Sequence, residues 1–109
     1  GLAEDRLVTP AVNVPNNGQL RFWSRQTSAG IQGSTYSIEI STTSQTAGFT
    51  TLQSWTEADI NVVFNNYEEQ VVPIPAAYFN TTVYIAFVMT NNNGDRWLID
   101  NVNLQEQGL

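Results

Sequence analysis

Apolar and polar residues alternate along most of this chain, and no window of a dozen residues carries a 3.6-residue period. Tyr36, Ile38 and Ile40 alternate with Thr35, Ser37, Glu39 and Ser41, the pattern of a half-buried strand. Leu20 and Phe22 alternate with Arg21, Trp23 and Arg25. In Val83, Ile85, Phe87 and Met89 the apolar row is matched by a second apolar row, Tyr84, Ala86 and Val88, which predicts a central strand covered on both faces. Strands are predicted near residues 6–14, 19–26, 34–42, 50–57, 67–74, 82–90 and 96–105. Pro10, Pro73 and Pro75 mark edges or bends, because proline donates no ladder hydrogen bond.

Turn chemistry separates the runs. Asn17-Gly18 and Asn93-Gly94 favour the left-handed conformations of tight hairpin turns, and Ala76 to Phe79 suits one helical turn. The longest connection, Ala58 to Asn66, carries Ile60, Val62, Val63 and Phe64 between polar ends. About seven strands without a helical layer predict an all-β protein, an antiparallel β-sandwich occupying residues 1–109 as one domain. Leu20, Phe22, Ile38, Ile40, Leu52, Val72, Ile74, Val83, Ile85, Phe87 and Ile99 are the predicted core.

Composition narrows the chemistry. There is no Cys and no His, so thiolate chemistry, disulfides and the commonest general base and zinc ligand are excluded. Ten acidic residues stand against four arginines and no lysine, for a formal net charge of −6. Phosphate-driven binding to nucleic acid therefore lacks its electrostatic basis, and no apolar run approaches a membrane span. Thirty-nine residues are Asn, Gln, Ser or Thr, a weakly charged amide-rich composition that fits an extracellular protein. Glu57, Asp59, Glu68 and Glu69 read as a solvated acidic surface, since no feature draws two of them into a glycosidase pair. Asn80-Thr81-Thr82 fits a glycosylation acceptor if the source is eukaryotic.

Four segments carry a family resemblance. They are Leu7-Val8-Thr9-Pro10-Ala11-Val12, Gln19-Leu20-Arg21-Phe22-Trp23, Tyr84-Ile85-Ala86-Phe87 and Trp97-Leu98-Ile99-Asp100-Asn101-Val102. In this order they resemble bacterial cleaved-adhesin and choice-of-anchor J domains, with the animal MAM domain as a more distant relative. The resemblance implies a jelly-roll-like sandwich in secreted bacterial proteins, a binding role without catalysis, and neighbouring domains in a longer polypeptide. The acidic N-terminal strand usual in that family has no counterpart here, which points to a truncated or shortened domain. The resemblance also implies a cation site near Asp100, with calcium as the suited ion and Glu4 or Asp5 as the helping N-terminal carboxylate. The alternative role for Asp100 is a hydrogen bond to backbone at the sandwich rim.

Two aromatic groupings are candidates for ligand binding. Trp23 between Arg21 and Arg25 offers a surface for a sugar or an acidic peptide, or else a face where the arginine stems cover the indole. Trp55 and Tyr67 flank the long connection, either as exposed aromatics or as a cap on the core. The loop Asn91 to Asp95 is rich in oxygen ligands and equally a plain hairpin. Together with these features, the resemblance implies a non-catalytic, adhesin-type module at the cell surface or secreted, recognising an extracellular protein, matrix or glycan. A carbohydrate-binding module attached to an enzyme and a spacer domain without a ligand are the alternatives.

Overall fold

In the computed structural model, residues 3–26, 34–60, 67–91 and 97–106 are described. The period-two runs become strands: β1 (Ala3–Val8), β2 (Val12–Asn13), β3 (Gly18–Gln26), β4 (Thr35–Ser41), β5 (Thr50–Thr56), β6 (Glu68–Pro73), β7 (Thr82–Asn91) and β8 (Trp97–Glu106). A single helical turn, α1 (Glu57–Ile60), follows β5, and a 3-10 turn (Ala76–Tyr78) stands where one was predicted. No helix among the described residues is long and apolar enough to cross a membrane.

One predicted strand, 6–14, is two. Pro10 has no N–H to give, so the ladder breaks there and resumes at Val12 opposite Val83. Thr9 bridges the gap on both sides: its N–H donates to the Ile85 carbonyl at 2.9 Å, and its Oγ1 accepts from the Ile85 N–H at 3.1 Å. Asn17 does adopt the left-handed conformation, at φ 56°. It does not close a hairpin, however, because β2 pairs in one sheet and β3 in the other. Glycine is required at Gly18 by crowding: a Cβ there would lie 2.9 Å from Val14 Cγ1 and 3.0 Å from the Pro15 carbonyl oxygen.

All pairings are antiparallel. The first sheet runs β1-β7-β4-β5 with β2 also on β7, and the second runs β6-β3-β8. The chain changes sheet at every connection from β2 to β8 except β4–β5, giving a jelly-roll-like β-sandwich. Leu20, Phe22, Val72 and Ile74 face Tyr36, Ile38, Ile40, Val83, Ile85, Phe87 and Met89 in one core. Phe22 lies at its centre, edge-on to Phe87 at 5.2 Å, Trp97 at 5.9 Å and Trp55 at 6.2 Å. Leu52 and Ile99 are packed against this core but only partly buried, whereas Val14, Tyr36, Trp55, Ile60 and Met89 join it beyond the predicted set.

Candidate ligand-binding face

β3 turns Leu20, Phe22 and Ser24 into the core, so Arg21, Trp23 and Arg25 stand on the outward face of the three-stranded sheet. The ladder aligns their neighbours. On β6, Val71 lies opposite Arg21 and Glu69 opposite Trp23; on β8, Asn103 lies opposite Arg21, Asp100 opposite Trp23 and Leu98 opposite Arg25. Trp23 is thus an indole, 38% exposed, with a carboxylate directly across on each neighbouring strand. Tyr67 and Val71 are similarly open, at 42% and 40%.

Polar contacts hold the row in place. Arg21 Nη2 donates to Glu69 Oε1 at 2.6 Å, and the Arg25 guanidinium sits 5.6 Å from the centre of the Tyr67 ring. The Nε atoms of Arg21 and Arg25 are buried, without a hydrogen-bond partner among the described residues, so any donors offered to a ligand are the outer guanidinium nitrogens. The arginines are thus anchored beside Trp23, and the indole is still open.

Asp100 reaches its place through a bulge. Between the pairs Arg21↔Asn103 and Trp23↔Asp100, β8 has one residue more than β3, and Asn101 takes φ 50° there. Asp100 Oδ1 accepts the Asn101 N–H at 2.8 Å, and Asn103 Nδ2 donates to the Asn101 carbonyl at 3.2 Å. The Asp-Asn pair that interrupts the last apolar run is thus the chemistry of a bulge, because Asn tolerates left-handed backbone. The hydrogen bond to backbone expected as one role of Asp100 is present.

Asp100 and the two N-terminal carboxylates, either of which was expected to help it hold a cation, lie on different faces. Glu4 lies opposite Thr90 and projects from the outer face of the first sheet, where it accepts from Arg6 at 3.2 Å. Asp5 lies opposite Met89 and so faces inward, while Asp100 is on the outer face of the second sheet. Packed sheets stand about 10 Å apart, which sets Glu4 and Asp100 too far apart to share one ion. Among the described residues, no group of three acidic side chains is placed to hold a metal. Residues 92–96, with most of the Asn91–Asp95 loop and the Asn93-Gly94 turn, lie outside the described residues.

Trp55 corrects another expectation. It is only 8% exposed and packs edge-on against Phe22, so it caps the core and is not an exposed aromatic. The reason is parity: on β5 it pairs with buried Tyr36 and shares its inward face. Tyr67 is the exposed member of that pair of candidates. The contributions of Glu69 and Val71 were missed because strand alternation shows which residues share a face but not which face two distant strands build together.

A two-sheet β-sandwich bearing an aromatic and arginine row on one outer sheet face is the architecture of this chain. It is 32% identical over 120 aligned positions to Hemagglutinin A of Porphyromonas gingivalis, an alignment that takes in 96% of the chain. The chain spans about 4% of that relative's length. No family model and no solved structure matches the chain.

Proposed function

We propose that this chain is a non-catalytic, adhesin-type binding module of a secreted or cell-surface protein, and that the outward face of β6-β3-β8 binds glycan. The single observation that carries the reading is Trp23, open to solvent between Glu69 and Asp100 with Arg21 and Arg25 beside it. A pyranose ring packs its C–H face on an indole while its hydroxyls need both donors and acceptors nearby. Guanidinium groups and carboxylates on adjacent strands supply the two kinds. The similarity to a segment of a hemagglutinin supports an adhesin-type role, and the small covered fraction supports neighbouring domains in a longer polypeptide. The absence of His and Cys from the sequence supports the lack of catalysis.

The test is a screen of the intact chain on paired glycan and extracellular-protein arrays, with Trp23→Ala alongside. Binding to a related set of glycans that is lost in the variant supports the reading. Binding confined to proteins, or glycan binding unchanged in Trp23→Ala, overturns it.

A further inference from the structure

The two flanks of the sandwich are closed differently. At one flank α1 covers the space between β5 and β6: Ile60 is fully buried, and Gln70 Nε2 of β6 donates to the Ile60 carbonyl at 2.7 Å. At the other flank the second sheet ends at β8, while the first extends one strand further to β1. Leu7 of β1 lies opposite core residue Phe87 and so points inward, yet it is 62% exposed. A cleft of about 410 Å³ opens there, walled by Asp5, Leu7, Phe87, Met89, Trp97 and Ile99 among others.

Along the cleft runs the outer edge of β8, ten residues that pair with β3 alone among the described residues. Edges of this length are normally protected by Lys, Pro, a bulge or a covering element. β8 contains neither Lys nor Pro, and its bulge at Asn101 leaves Trp97 to Asp100 as the regular stretch beside the cleft. Its edge offers a row of backbone donors and acceptors beside an uncovered piece of core.

We propose that this flank takes an extended strand from a separate polypeptide, added to the β8 edge, with apolar side chains over Leu7 and Met89 and a basic side chain toward Asp5. Charge selects the occupant. Asp5 makes no ion pair among the described residues, and the chain carries a net charge of −6. A second copy would bring more negative charge and no lysine to the same edge, so self-pairing is disfavoured. A basic, alternating segment satisfies the edge, the apolar wall and the carboxylate together. This site is on a different surface from Trp23 and does not depend on the glycan reading.

The test uses a synthetic nine-residue peptide in which Thr alternates with Val and one central Val is Lys. Amide hydrogen exchange and chemical-shift mapping on the intact chain read its binding. Slowed exchange at alternating positions of β8 is expected, as is loss of about tenfold or more in affinity when the peptide is N-methylated on its pairing edge. Asp5→Asn should weaken the Lys peptide several-fold and leave the version with Val in that place unchanged, which separates charge recognition from misfolding. The proposal is overturned if no perturbation maps to β1 or β8, if the N-methylated peptide binds equally, or if sedimentation shows the chain pairing with itself through β8.

Discussion

Arg6 reaches across β7 to Glu39: its Nη2 donates to Glu39 Oε1 at 2.8 Å, from the strand on one side of β7 to the strand on the other. The side chain starts opposite Val88 and ends beside a residue paired with Ala86, and it also rests 4.9 Å from the centre of the Phe49 ring. Val88 and Ala86 are consequently buried on the outer face of the sheet. β7 reads as apolar on both sides, and among the described residues it is the long Arg6 side chain that passes over its second face. Burial lowers the Arg6 pKa, but hydrogen bonds to Glu39 and Glu4 outweigh it and leave the group above its ordinary value, so the cation is present at every usable pH.

Arg6→Ala should therefore cost about 1–2 kcal/mol, more than a surface ion pair alone supplies, because the cover over Val88 goes with the charge. Glu39→Gln should cost less than about 1 kcal/mol, since the arginine stem remains. Urea denaturation of the two variants against the parent measures both.

Trp55 and Trp23 should separate cleanly. Trp55→Ala empties a site against Phe22 and should lower stability by about 3–5 kcal/mol, as large core truncations do. Trp23→Ala should change stability by less than about 1 kcal/mol, because the indole is on an outer face. Thermal unfolding of each variant decides whether the two aromatics have the roles assigned to them.

Gly18→Ala places a methyl against Val14 and the Pro15 backbone and should destabilise by about 1–3 kcal/mol. At the bulge, Asn101→Val should cost about 1–2 kcal/mol, because a β-branched residue is strained at positive φ, while Asn101→Gly should be nearly neutral. Paired denaturation curves check each, and the glycine variant guards against an effect of the lost side chain alone.

The strands were legible because burial of one sheet face writes a period of two into the chain, as in Tyr36, Ile38 and Ile40. What was not legible depends on pairings between distant strands. Arg6 and Glu39 are 33 residues apart, and nothing local announces that they meet over β7. Glu4, Asp5 and Asp100 looked like one acidic rim because they lie near the two ends of the chain, but strand parity sends them to three different surfaces. Trp55, bordering a polar connection, could be read as an exposed aromatic or as a cap on the core, and its parity opposite Tyr36 sends it inward. Pro10 was read as a bend, and the break it causes is the one difference in strand count.

The central claim is that Trp23 and its flanking charges form a glycan-binding face. The most direct measurement is a chemical-shift titration of the intact chain with the strongest glycan from the array, repeated on Trp23→Ala and Arg21→Ala. The account predicts shifts centred on the Trp23 indole, Tyr67 and the amides of Glu69 and Asp100, with Kd of roughly 0.1–1 mM for so shallow a surface. It also predicts that both variants stay folded and lose most of the affinity. Shifts centred elsewhere, or full affinity retained by folded Trp23→Ala, would contradict it.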